Sequence, residues 1–254
     1  MSVPTAPHAT YDRLDKAAQS ALLQRILGRC EHGTGTPPVV VFDLDGTLMD
    51  NRPRTIVILR ELAKQWEATE ADVAARLRAV KPSEIPYHFR DTLALVGITR
   101  EDLAEAAFEY WKTHFFADPH ILHDVEVPGA VRFARACYDA GASLVYLTGR
   151  DLPQMGVGTF GSLRALGFPI GVCGTELVLK PISTMNDYEF KRFEAPKLAR
   201  VGRVIASFDN EPANCNVFLE QFPDAESVLM DTQHAGSPPP LLPGVKVIGD
   251  FVYG

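Results

Sequence analysis

The chain has 254 residues, of which 46% are hydrophobic and 22% charged, and it carries a formal net charge of −7. That size suits one domain with an insertion or two modest domains, and no apolar stretch is long enough to span a bilayer. An acidic balance without a basic cluster argues against nucleic-acid binding, which draws its affinity largely from Lys and Arg neutralising phosphates; a site that needs a cation fits better. The opening "MSVPTAPHATYDRLDK" has neither a basic patch followed by an apolar run nor a small-residue cleavage site, so no secretory signal is expected and the cytoplasm is the expected compartment. Cys30, Cys137, Cys173 and Cys215 stand far apart without a CxxC pair and are read as buried free thiols rather than zinc ligands or a disulfide framework.

Asp12 to Gly28 places Leu14, Ala18, Leu22 and Ile26 at helical spacing, and "EHGTGTPP" then ends the pattern. This N-terminal extension, residues 1–37, is expected to pack on the main body, with a homodimer contact as the alternative. Strands are expected at Val39–Leu44, Ser143–Thr148, Leu177–Lys180, Val204–Phe208 and Ser227–Met230. Their continuous apolar runs alternate with helical patterns, which predicts a parallel sheet covered on both faces. Helices over Gly129–Ala140 and Thr159–Leu166 stop at Gly141 and Gly167. Between Met49 and Val127 only helical periods occur, so residues 51–124 are read as an inserted helical cap on an α/β body of residues 38–50 and 125–254. Pro53 fits a first helical turn. Thr69 with Asp72 and Thr99 with Asp102 resemble capping boxes, and Ile98 can staple to Leu103. Gly236–Gly244, "GSPPPLLPG", reads as a rigid surface loop.

The run "VVVFDLDGTLMDN" aims Asp43 and Asp45 into the place where a doubly wound sheet forms its crevice, at the carboxyl end of a strand. Two carboxylates one residue apart repel each other and stay ionised in a cleft only if a cation or ligand offsets them. Magnesium would do so. A plain Asp-Gly turn is the bland alternative.

"DLDGT", followed by "LTGR" and "FDNEP", resembles the motif set of the haloacid dehalogenase (HAD) superfamily of phosphatases, from about Val39 to Thr232. The resemblance implies a Rossmann-like α/β fold with a helical cap, Mg2+ as cofactor and a phosphorylated substrate. It implies Asp43 as the nucleophile that forms an aspartyl-phosphate, and Asp45 as the general acid and base whose main-chain carbonyl reaches the metal. Gly46 would let the loop turn and Thr47 would brace it. Thr148 and the Gly149 amide would cradle the phosphate. Arg150 could touch the substrate or pair with Asp151 on the surface.

The family also needs a lysine beside the transferring phosphoryl group. Lys180 and Lys191 both compete, and Lys191 is preferred by its likeness to acid-phosphatase members. "DNEP" departs from the commoner acidic pair and resembles the form in which asparagine takes the metal. Asn210 is therefore the expected ligand, Asp209 either ligates or orients, and Asn214 supports them. His114, His120 and His123 are read as surface or hinge residues rather than metal ligands, and Trp66, Tyr110 and Trp111 as the core of the cap, with one aromatic free to face a substrate. The expected function is hydrolysis of a phosphomonoester. A phosphomutase or phosphotransferase, and a non-catalytic module that binds phosphorylated ligands, are the rivals, and the substrate's identity is open.

Overall fold

In the computed structural model, which describes residues 11–31 and 35–254, the apolar run ahead of Asp43 is strand β1, Pro38–Phe42, buried along its whole length. Its side chains alternate as strand geometry demands. Val40 and Phe42 enter one hydrophobic cluster, and Val39 and Val41 enter another. A strand covered on both faces has no solvent side, which is why the sequence shows no polar alternation here. The expectations that fall on residues 1–10 and 32–34 lie outside the described residues.

Helix α1 (Lys16–Cys30) precedes β1. After it, β2 (Met49–Asp50) leads into α2 (Arg52–Trp66), α3 (Ala71–Ala79), α4 (Phe89–Leu95), α5 (Glu101–Phe115) and α6 (Asp118–Ile121), and β3 (Val125–Glu126) returns antiparallel to β2. The chain continues through α7 (Ala130–Asp139), β4 (Ser143–Asp151), α8 (Leu152–Leu166), β5 (Thr175–Lys180), α9 (Asp187–Glu194), β6 (Arg203–Asp209), α10 (Pro212–Gln221), β7 (Glu226–Met230) and β8 (Lys246–Ile248). The sheet runs β5-β4-β1-β6-β7-β8 with every pairing parallel. β1 is thus the switch point of the strand order, and the crevice opens beyond the carboxyl ends of β1, β4 and β6.

Helices α1 and α7 cover the Phe42 face, and α9 and α10 cover the Val41 face. The result is a three-layer, Rossmann-like α/β body carrying an inserted helical cap. Leu22, Leu23, Ile26 and Cys30 of α1 are buried in the body's own core. The inserted helices keep a separate core that includes Leu59, Leu62, Leu77, Leu93 and Ala107. Among the described residues, no helix is long and apolar enough to cross a membrane.

Several local expectations are corrected. Neither capping box forms: α3 starts after Glu70 and α5 after Arg100, both without a side-chain cap. The Arg100 guanidinium instead donates to both Asp102 oxygens, at 3.2 and 2.6 Å, because a charge-assisted fork outcompetes a reach to a backbone amide. Helix α8 starts at Leu152 rather than Thr159, since Asp151 caps it by accepting from the Gln154 amide at 2.9 Å. Its glycines concealed the period. One of them has a packing reason, because a Cβ on Gly158 would lie 2.4 Å from the Asp118 carbonyl oxygen, where α6 crosses α8. Cys173 is exposed, while the other three cysteines are buried, and all four are free. Strands β2, β3 and β8 are two or three residues long, too short to show a period.

Phe42 stacks on Phe208 with ring centroids 5.2 Å apart and is fully buried. Phe42→Ala is expected to cost about 3–5 kcal/mol of stability, read as a lower urea midpoint with an unchanged slope.

Candidate active site

Strand parity decides where Asp43 points. Following Val39 and Val41, it turns toward the α9 side of the sheet, and its amide is anchored by donating to the Phe208 carbonyl at 2.9 Å. There the Lys191 Nζ donates to Asp43 Oδ1 at 2.6 Å and to Asp209 Oδ2 at 2.7 Å. Thr47 Oγ1 donates to Asp43 Oδ2 at 3.0 Å. Asp43, Lys191 and Asp209 are all buried, so one ammonium serves two carboxylates that have little exposure to solvent. Burial pushes the Asp43 carboxyl up to about 7; Lys191 pulls the other way, and Asp209 adds to the rise. Burial also opposes the charge on Lys191, but Asp209 and Asp43 outweigh it and hold the ammonium above its ordinary pKa.

Lys180 goes elsewhere. Its Nζ reaches Asp187 Oδ1 at 2.5 Å and the Met185 carbonyl at 3.0 Å, which braces the loop after β5, and it is not among the residues lining the cavity.

At the end of β6, Asp209 Oδ1 accepts from the Glu211 amide at 2.9 Å and from Asn214 Nδ2 at 3.1 Å, while Oδ2 holds Lys191. Asp209 therefore holds the lysine, the orienting one of the two roles expected of it. Asn210 Nδ2 donates to the Gln233 carbonyl at 2.5 Å. That bond turns Asn210 Oδ1 toward Thr47 Oγ1, 3.5 Å away, the same hydroxyl that braces Asp43 Oδ2. One carboxylate and one amide oxygen thus converge, and a hard cation such as magnesium accepts such a partial shell when water and substrate oxygens complete it. Among the described residues, no three His, Cys, Asp or Glu side chains gather to hold a metal, so the donor set fits a cation shared with a ligand and not a closed protein cage. Gly46 sits in this turn at φ +74°, where a Cβ would lie 2.6 Å from Asn210 Nδ2.

Asp45 points the other way. Arg150 donates to both of its oxygens at 2.8 Å, Asn51 Nδ2 adds a bond at 3.1 Å, and Arg54 Nη2 lies 3.3 Å away. Burial pushes the Asp45 carboxyl up, but Arg150 and then Arg54 overcome it and hold it well below the usual carboxylate range. Both guanidiniums also meet at Asp124, through bonds of 2.7 Å from Arg150 and 2.8 Å from Arg54. Arg54 opens α2 and Asp124 immediately precedes β3, so this buried cluster joins both stems of the insertion to β4 and to the Asp45 loop. Arg150 is thus not a surface partner of Asp151; it is buried, held by Asp45 and Asp124, and lines the cavity. Arg54, Asn51 and Asp124 escaped sequence reasoning, since each reads there as an ordinary solvated polar residue.

No family model and no curated protein matches the chain. Solved structures do. A protein assigned as a phosphatase from Clostridium difficile superposes with a TM-score of 0.53 at 16% identity, over 84% of this chain and 95% of its own. A HAD-superfamily hydrolase of subfamily IA from Geobacter sulfurreducens gives a TM-score of 0.50 at 14% identity, over 84% of this chain and 92% of its own. The chain has the HAD fold.

The carboxyl ends of β1, β4 and β6 open into a cavity of about 1040 Å3 lined by Asp43, Asp45, Thr148, Gly149, Lys191 and Asn210, with the insertion as its opposite wall. Thr148 Oγ1 accepts from the Arg150 amide at 3.2 Å, which leaves its hydroxyl proton available. A Cβ on Gly149 would lie 2.3 Å from Asp187 Oδ2, so the Asp187 side chain at the start of α9 packs directly over this glycine. The insertion also touches the body across the cavity mouth, where Gln233 Nε2 donates to the Ile85 carbonyl at 2.5 Å. In the insertion, Trp66 and Tyr110 pack on its core, while Trp111 packs there and also lines the cavity. His120 Nε2 pairs with Glu61 at 2.8 Å, and the His114 and His120 rings lie 5.1 Å apart.

Asp124→Ala leaves two buried guanidiniums short of their shared partner and is expected to cost about 3–5 kcal/mol in chemical denaturation.

Proposed function

We propose that this protein is a magnesium-dependent phosphomonoester hydrolase acting on a small phosphorylated substrate through an aspartyl-phosphate. One observation carries the reading: a buried carboxylate, Asp43, braced by Lys191 and Thr47 at the switch point of the sheet, faces a cavity whose adjacent wall holds Thr148 and Gly149. Phosphoryl transfer asks mainly for positioning and charge neutralisation. Lys191, the Thr148 hydroxyl and the Gly149 amide supply donors for the equatorial oxygens. Asp43 Oδ2 and Asn210 Oδ1 would hold Mg2+, which neutralises phosphate charge when bound.

An Asp43 oxygen forms a bond to phosphorus as the ester oxygen leaves, and the leaving oxygen takes a proton from Asp45. A water oxygen then bonds to phosphorus, the Asp43–phosphorus link breaks, and the water proton passes to Asp45, which restores the starting state. Held by Arg150, Asp45 is in the ionised form that the second half requires. For the first half it must carry a proton, so it must leave the guanidinium fork; at 31% side-chain exposure it has room on the cavity side to do so.

Asp43→Asn is expected to abolish release of phosphate from p-nitrophenyl phosphate while circular dichroism shows the fold intact; unchanged turnover would refute the assignment. Asn210→Ala is expected to diminish the rise in melting temperature that Mg2+ produces in the wild type, measured by thermal shift over a magnesium titration.

A further inference from the structure

The wall that the insertion turns toward the cavity is aromatic. Phe108, Trp111 and Phe115 follow one another at helical spacing on one side of α5, Phe116 comes next, and Phe89 joins from α4; all five line the cavity. The wall is built in advance. Trp111 is pinned by its indole N–H, which donates to Thr55 Oγ1 at 3.1 Å, and Phe89 lies parallel to it at 4.5 Å with an interplanar angle of 5°. Phe115 stacks on the same indole at 4.6 Å. Rings already ordered by one another lose little freedom when a further ring joins them. A cavity of about 1040 Å3 is also far larger than a phosphate group, and equals the upper range of pockets that enclose whole drug-sized ligands.

The charges on the lining set a second condition. Each cation that lines the cavity is already paired: Arg13 with Asp231, Arg52 with Asp50, Arg90 with Glu105, Arg150 with Asp45 and Lys191 with Asp43. Asp91, Glu126 and Glu211 line it as well. A second phosphate or a carboxylate on the substrate would meet acidic side chains, and the cations beside them already share their charge with a carboxylate.

Building on the phosphatase reading, we propose that the substrate is a monophosphate ester of an alcohol bearing an uncharged planar aromatic ring, of roughly nucleoside size, held with its ring against the Trp111 wall. Trp111 and its stacked neighbours select the ring, and the acidic lining disfavours a second anionic group.

Adenosine 5′-monophosphate and ribose 5-phosphate share the leaving oxygen and differ by the ring, so their comparison isolates the wall. The wild type, with Mg2+, is expected to show kcat/KM at least about tenfold higher for the nucleotide, and lower again for adenosine 3′,5′-bisphosphate than for the monophosphate. Phe116→Ala, at a half-open position, is expected to shrink the ring preference, with a melting curve confirming the fold. Equal values for nucleotide and ribose phosphate, a bisphosphate handled as well as the monophosphate, or a preference unchanged in Phe116→Ala would overturn the inference and leave the phosphatase reading standing. If the wild type releases phosphate neither from these three nor from p-nitrophenyl phosphate, the phosphatase reading fails, and calorimetry decides the inference alone: binding of adenosine monophosphate about tenfold tighter than ribose 5-phosphate upholds it, and equal binding overturns it; turnover of p-nitrophenyl phosphate with none from the three overturns the inference and leaves the phosphatase reading standing.

Discussion

A single buried ammonium between two carboxylates is the constraint on which the rest of this structure turns. Lys191 touches both Asp43 and Asp209, so with both carboxylates ionised the group carries one negative charge more than its single ammonium balances, at side chains that are largely withdrawn from water. Removing charge from water costs far more than one ion pair returns, and the elevated Asp43 pKa is the expression of that cost. A site in this condition favours whatever brings positive charge to its open side. Asn210, with its amide oxygen turned inward, stands where such a cation would be received. The phosphatase reading is the functional form of this electrostatic imbalance.

The second carboxylate of the motif is treated in the opposite way. Asp45 is surrounded by cations, and the arginines that hold it are themselves held by Asp124, so two acids and two bases balance within one buried cluster. This separates the environments of two aspartates with a single residue between them in sequence, a pattern suited to giving two carboxylates different tasks. The same cluster fastens both stems of the insertion to the motif loop. The position of the cap and the position of Asp45 are therefore set by one set of ion pairs, and the aromatic wall that the cap contributes is located by them as well.

Much of the fold was legible in the sequence because its signals are local. Runs such as "VVVF" with no polar alternation, and Gly141 and Gly167 at helix ends, announce a parallel sheet with helices on both faces. Asp43 and Asn210 directly follow β1 and β6, as expected of a crevice at strand ends, whereas Thr148 lies within β4, which continues to Asp151. Other elements were hidden for stated physical reasons. β8 is too short to show a period, the glycines of α8 interrupted its pattern, and at the starts of α3 and α5 the expected box was absent, with a stronger ion pair formed at Arg100 instead.

Strand parity and polarity, written in the order of apolar residues, determined by themselves that Asp43 stands at the mouth of a crevice and that a helical segment interrupts the body. Tertiary structure alone decided which lysine meets Asp43, that Asp209 serves that lysine, and that Arg54 and Asp124, 70 residues apart in the chain, are buried together around Arg150. These are charge pairings between distant segments. Each residue taken singly looks like an ordinary solvated side chain, and only the packing of the chain withdraws it from water and makes its partner obligatory.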